Sequence, residues 1–196
     1  MKSIISESSE NGIQIKGKVN SEKRKSDSVK GLRKLFVNEL KEIYWAEKEV
    51  KKTLNKMNKH ASAYELADEL SIYHDVINEH QTLIEEVFLQ MDEKAEDFKC
   101  KPMEIFLREA DILLEETKKG ITRDAGIISS VIKLELYQIA TYNIVCFFAR
   151  TMGNNDTAAL LHKILDQKNK IFEKLSQMVD SIELERADAE NQKIDF

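Results

Sequence analysis

The sequence predicts an all-α fold, in which four long helices form two antiparallel hairpins joined by a crossover carrying a short fifth helix. Three observations predict it. Helix breakers are scarce, with one Pro and six Gly in 196 residues, and only Gly126 falls inside a helical pattern rather than beside one. Apolar residues recur in steps of three and four along four segments of about 28 residues, while no alternating run of β-branched residues competes. Finally, the first two segments are separated by about three residues, as are the last two, whereas about 30 residues separate the second from the third.

The elements follow in order. Residues 1–30 are Ser-, Lys- and Glu-rich, with seven Lys/Arg against four acids and a net charge of +3. They bury too little to offset the entropy of ordering and are predicted to be disordered. Residues 31–186 form the bundle domain, and 187–196 a C-terminal tail. Helix one spans 32–59 along the seam Phe36, Leu40, Ile43, Glu47, Val50, Leu54, Met57. Ser62 with Glu65 reads as a capping box opening helix two, which runs to 91 along Tyr73, Ile77, His80, Ile84, Val87, Met91. Pro102 opens the short crossover helix, which runs to Lys118, and Gly120 and Gly153 follow helical stretches as C′ residues do. Thr122 or Asp124 caps helix three, which ends at 151 after the seam Ile128, Val131, Glu135, Gln138, Tyr142, Val145, Ala149. Asn154, Asn155 or Asp156 caps helix four, which runs to 185 along Leu161, Leu165, Lys168, Phe172, Leu175, Val179, Ile182. Each long helix extends roughly 42 Å. A crossover long enough to traverse the bundle between two hairpins is the ferritin-like arrangement.

Composition removes several function classes. A net charge of −5 and a pI near 5.5 leave no general nucleic-acid footprint. No continuous apolar run has the roughly 18 residues of a membrane span, and the N-terminus lacks the apolar core of a signal peptide. Cys100 and Cys146 are too few for a disulfide framework, so a reducing cytoplasm is expected. The sequence contains no phosphate loop, nucleophile elbow or zinc-binding Cys cluster. The basic segment 1–30 could tether an acidic partner, a minor reading.

The seams carry the functional signal. Each is interrupted near its middle by a charged or titratable residue: Glu47, His80, Glu135 and Lys168. Burying a charge costs several kcal/mol unless it is paired or bound to metal. Together with Gln138, these positions predict one shared polar layer.

Several stretches resemble the YciE/YciF family of ferritin-like bacterial proteins. Leu35-Phe-Val-Asn-Glu-Leu-Lys-Glu-Ile-Tyr-Trp-Ala-Glu47 resembles its opening helix, Lys99-Cys-Lys-Pro-Met-Glu104 its crossover, and Arg123-Asp-Ala-Gly-Ile-Ile128 the start of its third helix. Lys133-Leu-Glu-Leu-Tyr-Gln-Ile-Ala140 followed by Tyr142 resembles the family's Lys-Val-Glu-His-Tyr-Glu-Ile-Ala and its Tyr. The resemblance implies a four-helix bundle, usually dimeric, linked to stress responses and holding a carboxylate-bridged two-metal site. Position by position, Glu47, His80 and Glu135 match that site. Val76 and Ile77 stand where the helix-two acid belongs, Gln138 replaces the second acid of helix three, and Lys168 and Phe172 replace the pair of helix four.

Two dications bring a charge of +4, which two carboxylates do not balance, and an ammonium at the same level repels them further. The expectation is therefore that Lys168 takes the metal's place between Glu47 and Glu135. The protein then needs no cofactor and acts as a structural or partner-binding protein, expected to be a homodimer with no nucleic-acid or membrane partner. The alternative is an oxidoreductase of ferroxidase or peroxidase type. One iron or manganese ion would be held by Glu47, His80, Glu135 and Gln138, with Lys168 neutral or turned away.

Overall fold

The computed structural model describes the backbone of residues 8–191 and the side chains of residues 28–179. Its elements are α1 (Ser8–His60), α2 (Tyr64–Gln90), α3 (Lys101–Glu116), α4 (Ile121–Thr151) and α5 (Asn155–Asn191). Three-residue links join α1 to α2 and α4 to α5, and α3 lies in the long connection between the hairpins.

Contacts across the bundle fix the direction of each helix. At one end, Arg33 near the start of the packed part of α1 donates to the Met91 carbonyl just after α2. Thr157 in the first turn of α5 reaches Gln90 at the same end. At the other end, Asp124 in the first turn of α4 meets the α1–α2 link. Thus α1 and α5 run one way, α2 and α4 the other, and the crossover traverses the bundle as expected. Around the square, α1 packs on α2 and α4, and α5 packs on α4 and α2; α3 lies over α1 and α4.

The predicted seams of α1, α2 and α4 are buried throughout. That of α5 needs correction. Ile164, Lys168, Ile171 and Leu175 are buried, but Phe172 is only partly buried and Val179 is exposed; the Ile182 side chain lies outside the described residues. Adding alternate threes and fours at Lys168 selects Phe172, whereas the contacting face selects the neighbouring Ile171. The core forms two apolar clusters, one around Leu54, Tyr73, Met103 and Val131 and the other around Phe36, Ile84, Val145 and Leu161.

The ends of the helices differ from expectation in several ways. The predicted capping box is absent: Ala63 is the N-cap of α2 and no side chain caps it. Instead the Asp124 carboxylate accepts the backbone N–H groups of Ser62 and Ala63, each at 2.8 Å. Ser62 Oγ in turn accepts the N–H of Gly120 at 2.7 Å. Asp124 and Ser62 thus cap across the hairpins, each satisfying donors of the other's helix start. Neither Thr122 nor Asp124 is the N-cap of α4; Gly120 is, with φ 138°. Gly153, with φ 80°, follows α4 as a C′ glycine does. At Gly126 a Cβ would lie 2.6 Å from Leu113 Cδ1 of α3, so any larger residue there makes the end of that half-buried side chain shift.

α1 begins at Ser8, so helical backbone enters the segment for which composition predicts disorder; residues 1–7 lie outside the described residues. A helix satisfies its own backbone hydrogen bonds without a tertiary partner, which a burial argument does not count. At the other end α5 reaches Asn191. α4 is long and apolar enough, by length and composition, to cross a membrane. In the bundle it packs against α1, α3 and α5, which accounts for apolar residues around much of its circumference.

Candidate functional site

The two apolar clusters are separated by a layer in which every predicted site residue is buried. Glu47, His80, Glu135 and Lys168 have no exposed surface and Gln138 has 3%. Each comes from a different helix, save that Glu135 and Gln138 share α4 one turn apart, which places both on its inner face.

Lys168 Nζ lies at the centre. It is 3.0 Å from Glu47 Oε1, 3.6 Å from Glu135 Oε1, and donates to Gln138 Oε1 at 2.9 Å and Tyr73 Oη at 3.3 Å. The faces of Tyr73 and Tyr142 also approach the ammonium, with centroids at 5.5 and 5.6 Å, within the range of a cation–π contact. Glu47 is the better satisfied carboxylate. Its Oε1 accepts from Tyr142 Oη at 2.8 Å and Gln138 Nε2 at 3.3 Å, and its Oε2 faces His80 Nδ1 at 3.4 Å. Glu135 Oε1 accepts from Tyr73 Oη, but its Oε2 has no hydrogen-bond partner, nor has His80 Nε2.

The electrostatics follow from this asymmetry. Burial alone pushes the Glu47 pKa up, but the Lys168 ammonium, His80 and the Tyr142 hydroxyl more than reverse it, holding the carboxyl down at about 2. For Glu135 burial prevails; Lys168 and Tyr73 only partly offset it, and the pKa is raised. Tyr73 and Tyr142 are pushed well above the ordinary phenol range by burial and by Glu135 and Glu47. Both phenols therefore remain protonated donors at neutral pH.

The donor chemistry does not fit the two-metal centre that the resemblance implies. An ammonium at 3.0 and 3.6 Å from the two carboxylates occupies the space in which bridging dications would sit. Position 76 is Val, and Phe172 is apolar and only partly buried, so no further carboxylate compensates. Among the described residues, no three His, Cys, Asp or Glu side chains are grouped as a metal site. The arrangement is instead that of a buried cation shared by two carboxylates, an amide and two phenols, in which most lone pairs are used.

The apolar repeat places Tyr73 and Tyr142 on the seams and gives them no part in the layer. The signal was present: Tyr73 precedes His80 by seven residues and Tyr142 follows Glu135 by seven, two turns along the same inner stripes. The hydroxyl of each reaches the layer, Tyr73 at Glu135 and Tyr142 at Glu47. His60 and His162 are exposed and His74 is half-buried, so none joins the site.

Comparison with known proteins places this architecture in a family. The family model described as Domain of unknown function (DUF892) matches residues 31–188. Protein YciF of Escherichia coli (strain K12) is 28% identical over 155 residues, 77% of this chain and 92% of that protein. Among solved structures, the E. coli stress protein YciF has a TM-score of 0.74 at 26% identity, covering 77% of this chain and 96% of that one. YcfI from Rhodopseudomonas palustris has a TM-score of 0.71 at 25% identity, covering 74% of this chain and 92% of the other. The family match begins after the basic N-terminal segment. With the long crossover, the hairpin pair and the family match in agreement, the chain belongs to the DUF892 family, as a helical bundle of the YciF type.

Proposed function

We propose that this protein is a stress-response-type bundle in which an internal cation has replaced two-metal chemistry, and that it acts as a structural or partner-binding protein. The observation carrying this reading is the position of Lys168 Nζ, within 3.6 Å of both core carboxylates and donating to Gln138. With Lys168 charged and Glu47 ionised, the centre approaches neutrality without an inorganic ion, and little is left to bind or activate an oxidant. Residence in a reducing cytoplasm, expected from the two cysteines, and homodimerisation, implied by the YciF-type resemblance, belong to the same proposal.

One observation favours a second reading. His80 Nε2 and Glu135 Oε2 are buried without partners, and such atoms are free to coordinate. A single iron or manganese ion held by Glu47, His80, Glu135 and Gln138 would use them, provided that the Lys168 amine turned away. Elemental analysis after incubation with Fe(II) or Mn(II) and desalting separates the two. Substoichiometric metal in the natural protein, with higher content in Lys168→Glu, supports the internal cation; tight stoichiometric metal in the natural protein reverses the ranking.

A further inference from the structure

The bundle end at which α2 and α4 begin carries a groove of about 540 Å³. Its floor is Leu66, Ile128 and Met178, and its lip is Tyr64 and Ile121, which are 78% and 54% exposed. Glu65, Asp68 and Glu69 rim it, with Lys174 the one base among its lining residues. An exposed apolar surface within an acidic rim fits a basic, partly apolar helical segment.

The chain contains such a segment, and its placement selects the occupant. Residues 1–30 carry a net charge of +3, with Ile15 and Val19 four apart and Lys23-Arg24-Lys25 in one run. α1 is continuous from Ser8 to His60 and joins the bundle near Arg33, at the end opposite the groove. The segment before Gly31 thus extends roughly 35 Å from one end, while the groove lies roughly 40 Å away at the other. A continuous helix leads away from its own groove, so the segment does not reach that groove within one molecule. Charge complementarity is reinforced by the opposite terminus: α5 continues to Asn191 past the groove end, and residues 180–191 hold five acids against one base, a net charge of −4.

We propose that the groove at Tyr64, Glu65, Asp68, Glu69 and Ile121 receives the basic N-terminal segment of a second copy of this chain. The contact is head-to-tail, joining unlike surfaces, and therefore extends into open assemblies rather than closing as a two-fold dimer does. The proposal deepens the partner-binding reading by naming the partner. Because it uses a surface remote from Lys168, its failure would leave the internal-cation reading standing.

Light scattering and sedimentation of the full chain test it. The average mass of the natural protein should rise with concentration at about 0.05 M salt and fall to a concentration-independent unit at about 1 M, where screening is short-ranged. Reversing the rim (Glu65→Lys, Asp68→Lys, Glu69→Lys) or the segment (Lys23→Glu, Arg24→Glu, Lys25→Glu) should each weaken this association about tenfold or more, with unchanged helical content. Mixing the two variants should restore it, because each supplies the charge that the other has reversed. Overturning results are a mass independent of concentration and salt, unchanged association in either variant, or no restoration on mixing. Capture of a different protein in the groove without self-association would equally overturn it.

Discussion

Replacing Lys168 with Met preserves most of the side chain's length and apolar volume while removing the ammonium. Glu47 would keep its donors from Tyr142 and Gln138, and Glu135 its donor from Tyr73, but two buried carboxyl groups would lose their shared counter-charge. Breaking a buried pair from one side costs about 3–5 kcal/mol. The Glu47 pKa gives a figure of the same size: displacement from 4.5 to about 2 corresponds to about 3 kcal/mol. Because the folded-state value is below the unfolded one, this stabilisation is complete above pH 4.5 and is lost as pH falls towards 2. Without the ammonium, burial and Glu135 raise the Glu47 pKa, so the variant is favoured as pH falls. Glu135 acts in the same direction: its pKa, already raised by burial and only partly offset by Lys168, rises further when the ammonium is removed, which costs stability as pH rises. The deficit of the variant should therefore be greatest near neutrality and shrink towards about pH 3. Urea unfolding followed by circular dichroism should show a midpoint lower by about 2 M at pH 7, or a Tm lower by roughly 6–20 °C. Adding Glu47→Gln and Glu135→Gln to Lys168→Met should recover much of the loss. A neutral-pH deficit within about 0.5 kcal/mol of zero, or one equal at both pH values, would refute the bridge.

Two further predictions concern the packing that holds the layer in place. Asp124→Ala removes the acceptor of the Ser62 and Ala63 N–H groups and should cost about 2–4 kcal/mol in thermal or urea unfolding, with Asp124→Asn losing about half as much. Gly126→Ala brings a Cβ to within 2.6 Å of Leu113 Cδ1. Because that half-buried side chain can turn aside while the helix gains about 1 kcal/mol in propensity, thermal unfolding should show a net change within about 1 kcal/mol of zero. A double-mutant cycle with Leu113→Ala should show marked non-additivity, since both changes act on one contact.

The parts of this fold legible in the sequence are those governed by one-dimensional periodicity. Glu47, His80 and Glu135 stood out because each interrupts an apolar stripe that otherwise repeats faithfully, and burial of those stripes carries the side chains inward together. Lys168 was legible for the same reason, although the stripe on α5 drifts just beyond it, where Ile171 rather than Phe172 faces the core. What periodicity does not encode is reciprocity between distant segments. Ser62 read as a local cap because Glu65 follows it at capping-box spacing, yet its hydroxyl serves Gly120 while Asp124 serves the Ser62 backbone. Tyr73 and Tyr142 stand on the seams, but a seam position alone does not reveal what their hydroxyls reach. Gly126 stood out as an exception, but its cause lies on α3 and appears only once the crossover packs against α4. The start of α1 at Ser8 was missed because the composition argument counts burial and not the backbone's own hydrogen bonds.

The internal cation is tested most directly by diffraction from crystals of the natural protein equilibrated with Mn(II), recorded at a wavelength giving strong anomalous signal from manganese. The prediction is continuous density for the Lys168 amine between Glu47 and Glu135, with no anomalous peak between those carboxylates. An anomalous peak bridging Glu47 and Glu135, with the amine of Lys168 displaced from the layer, would contradict it.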